Sequence, residues 1–250
     1  MRHFIAPVLI LCCIFFAPLK ARAQHISIEP SKDRIEITTG FNGADISVFG
    51  VAEGGSFSEI ALVIKGPARH MIVRKKEKIL GAWMNRHSIS FAAVPAFYDY
   101  ALSRPDLAQL APEIFSEKAI GLDTLDFKAD ESERSAGHYA AFREALIRNK
   151  QGEGLFPLNP KAIHFLDKGF FKTAFHLPSN VPKGHYTIEA YQIENGKVVA
   201  SDLSGFDVVQ VGFSAKIFHF AYERALPYAL MAIAIALLAG WGAFTFLRRD

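Results

Sequence analysis

Cysteine is nearly absent from this sequence. The 250 residues contain two, Cys12 and Cys13, both within the first 23 positions. The rest of the chain therefore offers no disulfide, no thiolate metal ligand and no thiol nucleophile. An excess of one charge is lacking as well. The whole chain has 28 Lys+Arg against 25 Asp+Glu, but Arg2, Lys20 and Arg22 precede residue 24 and leave 25 against 25. Without Arg248, Arg249 and Asp250 the balance becomes 23 against 24. Such a body has no net charge with which to hold a polyanion, which excludes a nucleic-acid binder. Also missing are GxSxG, SxxK, the phosphate-binding loop, GxGxxG and HExxH, so no familiar catalytic or nucleotide-binding arrangement is present. The eight histidines after residue 23 form no HxH or HxxxH pair, and no metal or other cofactor is expected. The chain reads as non-enzymatic.

Disorder is excluded by what is there: half the residues are apolar and 12% are aromatic. Residues 1–23 read as a secretory signal peptide. Arg2 starts it, Phe4 to Pro18 is an uncharged apolar run, and Ala21-Arg22-Ala23 supplies small residues at a cleavage site before Gln24. Ala225 to Leu247 holds no charge over 23 residues. As a helix it is about 34 Å long, enough for a hydrocarbon core of ~30 Å. Pro227 falls in its first turn, where a missing N–H costs nothing, and Tyr222, Tyr228 and Trp241 suit the interfaces. Arg248 and Arg249 follow, so the positive-inside rule assigns residues 248–250 to a cytoplasmic tail and the body to the periplasm of a bacterial inner-membrane protein.

The body is β at both flanks and helical in the middle. Ile26–Ile28, Arg34–Ile37, Asp45–Phe49 and Ile60–Ile64 are strand-like runs, punctuated by Gly40, Gly43, Gly50, Gly54-Gly55 and Gly66-Pro67. Met71–Val73 leads into the cluster Arg74-Lys75-Lys76-Glu77-Lys78, read as a charged hairpin or sheet edge that discourages edge pairing; contact with lipid headgroups or an acidic partner is the alternative. After Pro95 the period changes. Phe97–Leu102, Pro105–Leu110 and Pro112–Ile120 are short helical candidates, and Ser132–Arg148 is a longer one with Tyr139, Phe142 and Leu146 on one face. Phe170–Leu177, Tyr186–Ile193, Lys197–Ala200 and Phe206–Val211 return to strands, with Asn195-Gly196 as a hairpin turn. The fold expected is mainly β: an Ig-like antiparallel β-sandwich with a helical insertion, followed by one transmembrane helix. Residues 24–95 and 153–222 form the two parts of one sandwich, 96–152 the insertion and 225–247 the span. Two separate small sandwiches are the alternative.

The passage from sandwich to insertion is aromatic: Trp83 with Asn85, then Phe91, Phe97, Tyr98 and Tyr100. Trp83 is expected in the core, where the insertion packs back on the sheet. The competing expectation is a docking surface made of Trp83, Asn85, Phe97 and Tyr98 with the cations Arg74, Lys75 and Lys76.

Several of these segments carry a resemblance. Phe49-Gly50, Lys65-Gly66-Pro67, Val73-Arg74-Lys75-Lys76, Gly81-Ala82-Trp83-Met84-Asn85, Phe97-Tyr98, Leu177-Pro178 and Val181–Tyr186, with Gly240-Trp241 in the span, resemble a family of alphaproteobacterial transmembrane proteins. The resemblance implies an architecture and assigns no active site. Its members are often encoded near sulfite-exporter-type permeases, which implies an accessory role beside an integral membrane partner such as an anion or organosulfur transporter. A periplasmic receptor for a small ligand or metal, using the cleft between sandwich and helices, is the alternative.

Overall fold

The computed structural model describes residues 24–53, 59–79, 81–135, 137–167 and 169–247. The signal peptide and the 248–250 tail read from the sequence lie outside them. The protein is mainly β, with one apolar helix at its C-terminal end. One sheet has the order β1 (His25–Pro30), β3 (Ala44–Glu53), β10 (Phe170–Leu177), β9 (His164–Asp167). The other runs β2 (Arg34–Ile37), β12 (Lys197–Gln210), β11 (Gly184–Glu194), β4 (Glu59–Lys65), β7 (Tyr98–Leu102), β8 (Lys161–Ala162). Each sheet mixes strands from before and after the helical region. Pairing is antiparallel except at β2–β12 and β7–β8, which are parallel; the sandwich is therefore not wholly antiparallel.

Alternation explains the first sheet. In β10, Phe171, Thr173, Phe175 and Leu177 are buried and the residues between them are exposed. The second sheet is different. In β4, Ile60, Ala61, Leu62, Val63 and Ile64 are all fully buried, as expected only for a strand covered on both faces. One cover is the first sheet. The other is the insertion: α1 (Leu107–Leu110), α2 (Pro112–Lys118), α3 (Glu131–Ser135) and α4 (Tyr139–Gly152).

The helix expected at Phe97–Leu102 is strand β7, because its residues pair with β4 from Ala61↔Leu102 to Lys65↔Tyr98. Tyr98 then points at the insertion. Its hydroxyl donates to the Ala119 carbonyl (2.9 Å) and accepts from the Gly121 N–H (2.8 Å), and its ring meets Phe156 edge-on. Burial pushes the Tyr98 phenol pKa well up, so it stays a donor. On the other face of β7, Asp99 is 5% exposed. Burial raises its carboxyl to about 6, against the pull of its hydrogen bond from the Tyr100 N–H and the charge of Lys161.

Three further expectations need correction. The single helix over Ser132–Arg148 is two helices, with Gly137 at φ +65° between them. Gly50 is no turn; it lies within β3 opposite Phe171, whose ring fills the space a Cβ would need. Lys197–Ala200 and Phe206–Val211 are not separate strands, since β12 runs unbroken from 197 to 210. The Asn195-Gly196 turn has both residues at positive φ, +49° and +71°, the geometry that a two-residue hairpin requires.

Beyond β12, α5 (Phe213–Glu223) ends at Arg224, which leaves helical geometry, and α6 (Ala225–Leu247) follows. α6 is long and apolar enough to cross a membrane and is not buried against the body. Phe220 and Tyr228 meet across the break, 6.1 Å between ring centres.

Candidate functional site

The β4–β7 ladder does not stop at the edge of the sandwich. Past Lys65↔Tyr98, the Gly66 N–H donates to the Phe97 carbonyl (2.8 Å) and the Ala96 N–H to the Pro67 carbonyl (2.9 Å). The same two chain segments then continue as β5 (Ala68–Ile79) and β6 (Ala82–Pro95), a two-stranded ribbon outside both sheets. The cluster Arg74–Lys78, expected as a charged hairpin or sheet edge, lies in the distal half of the first, twelve-residue strand of this hairpin. A bulge opposite His70, where Ala93 has φ +55°, and another at Lys75/Lys76 twist the ribbon.

An isolated two-stranded ribbon is marginal in water, and this one is supported on one face. Phe91 is fully buried and meets Phe127 and Tyr139 edge-on at 5.9 and 5.7 Å. The Ala92 N–H donates to the Lys128 carbonyl (2.6 Å), and the Ser90 N–H to a Glu133 carboxylate oxygen (3.1 Å). His87 packs on His138, 5.1 Å between rings, and marks the last contact of this kind toward the tip. The insertion behind is braced by Arg143, whose guanidinium donates to the carbonyls of Leu122, Asp123 and Leu125 (2.6–2.8 Å).

The opposite face is free. Ile72, Arg74, Lys76 and Lys78 follow one another at every second position, paired with Ser90, Ser88, Asn85 and Trp83. On this face Trp83 is 70% exposed and Ile72 52%; Met84, opposite Glu77 on the other face near the tip, is 54% exposed. Residues 68–95 carry six of the bases and one of the acids in residues 24–247, which leaves 17 bases against 23 acids elsewhere. The single acid, Glu77, bonds to Lys75 and Arg86, both at 3.1 Å; the hydrogen bond from Lys75 above all holds its pKa down. Among the described residues, Arg74, Lys76 and Lys78 have no such compensation.

Five residues of the expected docking surface, Arg74, Lys75, Lys76, Trp83 and Asn85, share the ribbon. Phe97 and Tyr98 do not belong with them: both are buried, at 2% and 0%, and serve the core. Trp83 is not in the core as expected, because the insertion contacts the ribbon only nearer its root. Arg86 was missed, and Lys78 was named in the charged cluster but not in the docking surface, although the period-two row of cations over 74–78 was readable as an exposed strand face.

The root of the ribbon lies where the chain leaves the sandwich for the span. β12 ends at Gln210 beside the start of β11, with Gly184↔Val208. Arg69 donates to the Lys183 carbonyl (3.3 Å), and the Lys183 ammonium sits 5.4 Å over the Phe218 ring of α5. A shallow groove of about 470 Å³ lies at this root, between Lys65, Pro67, Pro95, Asp126, His185 and Thr187. His185 Nδ1 lies 2.9 Å from an Asp207 carboxylate oxygen. Among the described residues, no three His, Asp or Glu side chains gather as a metal site.

A family model described as "Putative transmembrane protein (Alph_Pro_TM)" matches residues 25–249. The chain belongs to that transmembrane family. Its match spans sandwich, ribbon, insertion and apolar helix together. No curated protein matches the chain. Among solved structures, it is similar to Spo0M, a sporulation control protein from Bacillus subtilis, at 10% identity and a TM-score of 0.30. That comparison covers 81% of this chain and 56% of the Spo0M chain, and at this score it supports no argument about fold or role.

Proposed function

We propose that this family member is a non-enzymatic accessory protein, held at the inner membrane by α6, with its body in the periplasm and its C-terminus in the cytoplasm. Its partner is an integral membrane protein, such as an anion or organosulfur transporter. The observation that carries this reading is that the ribbon and the span leave the sandwich at the same end. The body thereby turns its free, ordered surface toward the plane in which an integral membrane partner sits. The uniformly exposed α6, with Gly240 and Gly242 open to close approach, supplies a helix surface for the same partner.

Affinity purification of the full chain from membranes in mild detergent tests it. A stoichiometric multi-span protein is the expected companion; the chain recovered alone counts against the reading. Reporter fusions test the topology: a reporter active only in the periplasm is expected to work when inserted at the Asn195-Gly196 turn and to stay silent after Asp250.

The groove at the ribbon root favours a second reading, a receptor for a small ligand, because sheet, ribbon and insertion converge there with Lys65, Asp126 and His185 on its walls. Thermal-shift screening of the full chain in detergent, with anions and divalent cations, separates the two.

A further inference from the structure

We propose that the β5–β6 ribbon is a second membrane contact, whose free face binds anionic lipid headgroups and whose Trp83–Met84 end enters the interfacial layer of the membrane that α6 spans. Charge, direction and reach each support it.

The charge is segregated. A body with an acidic surplus elsewhere places three cations that none of its described acids pairs, Arg74, Lys76 and Lys78, in one row on the free ribbon face. Anionic headgroups attract such a row, and the attraction fades within a Debye length, so it operates only if the ribbon is held close to the surface. The apolar residues sit where insertion needs them. Trp83 is paired with Lys78 at the far end of the row, and Met84 is its neighbour; both are exposed. Trp is the side chain best suited to the interface, with an apolar body and one N–H donor.

Direction follows from the ladder. β4 runs toward the end of the sandwich from which β12 leaves for α5, and β5 continues beyond it. Reach is sufficient. Twelve strand residues span about 40 Å, whereas the eleven residues of α5 separate the body from the span by only about 16 Å. Among the described residues, the segment beyond the His87–His138 contact makes no ring contact or hydrogen bond with the insertion, and it is the segment that carries Lys76, Lys78 and Trp83.

The test uses the full chain in lipid nanodiscs. The sequence has two tryptophans, Trp83 and Trp241, so Trp241→Phe leaves Trp83 as the only tryptophan reporter. In discs containing phosphatidylglycerol, Trp83 emission is expected to shift to the blue, to resist acrylamide and to be quenched by lipids brominated near the headgroup. In discs of phosphatidylcholine alone these effects are expected to weaken. The triple variant Arg74→Gln, Lys76→Gln, Lys78→Gln is expected to abolish the difference between the two lipids while melting at the same temperature. Emission that stays water-exposed in anionic discs overturns the proposal, as does a triple variant that keeps its lipid response. Protection of Trp83 that appears in native membranes but not in anionic discs also overturns it, and assigns the ribbon to a protein partner. Loss of a copurifying partner with Trp83 still quenched by lipid would instead refute the accessory role and leave this contact standing.

Discussion

The two halves of one β-ladder have opposite fates. In the first, β4 against β7, five consecutive residues from Ile60 to Ile64 are fully buried between the other sheet and the insertion. In the second, β5 against β6, the same chain segments carry Arg74-Lys75-Lys76-Glu77-Lys78 and one side stays in solvent. Backbone pairing is common to both, so pairing does not decide burial. The side chains decide it: β4 has no polar residue between Glu59 and Lys65, whereas the ribbon offers an apolar stripe only on the face of Met71, Val73, Ile89 and Phe91. The ribbon is braced where that stripe meets the insertion, and the remainder is an extended arm with a charged face.

The sharpest test of this contrast is to remove the stripe. Phe91→Ala deletes a fully buried ring and its contacts with Phe127 and Tyr139, and is expected to cost about 3–5 kcal/mol. Denaturation of the full chain in detergent, followed by near-UV circular dichroism, measures it. A loss no larger than that of a surface substitution would mean that the ribbon does not need the insertion.

A smaller effect, and of opposite sign at neutral pH, is expected at Asp99. Its carboxyl ionises at about 6 in the folded chain against an ordinary value of 3.8. Between those values the folded state holds more proton, so stability falls as pH rises through that window and stays lower above it. The gap corresponds to about 3 kcal/mol. Asp99→Asn is expected to raise stability at pH 7 by up to that amount, with the gain vanishing below pH ~4. A gain that is independent of pH would show that the charge is not its source.

Tyr98→Phe leaves the Ala119 carbonyl and the Gly121 N–H without their shared partner, with an expected cost of about 1–3 kcal/mol. Hydrogen exchange is expected to quicken in the turn at 119–121 before it quickens in β4. The smallest effect belongs to Trp83→Ala. At 70% exposure it is expected to change stability by no more than ~0.5 kcal/mol, and a loss of several kcal/mol would return Trp83 to the core.

Parts of this were legible in the sequence because they depend on local periodicity. The alternation of Phe170–Leu177 announced a half-buried strand, and Asn195-Gly196 announced its turn. The uncharged stretch from Ala225 to Leu247 announced a membrane helix, because length and hydropathy alone meet the demand of a bilayer. The site was half legible. Arg74, Lys75, Lys76 and Asn85 were recognised as surface candidates on composition, whereas Trp83 was expected first in the core and only in the competing reading on that surface. Phe97 and Tyr98 were grouped with them only because aromatic residues at a boundary look alike, whether they face solvent or core.

The sequence by itself determined the mainly β class, the apolar span over Ala225–Leu247 and the short-range turns, since each is set by residues within a few positions of one another. Only the tertiary structure decided that Tyr98–Leu102 is a strand, because β4 offers it an edge to pair with. Tertiary structure also put Asp99 beneath that edge, Gly50 beneath Phe171, and Trp83 at the end of an arm. Each of these depends on which distant segment lies opposite, and side-chain periodicity carries no record of the partner across the sheet.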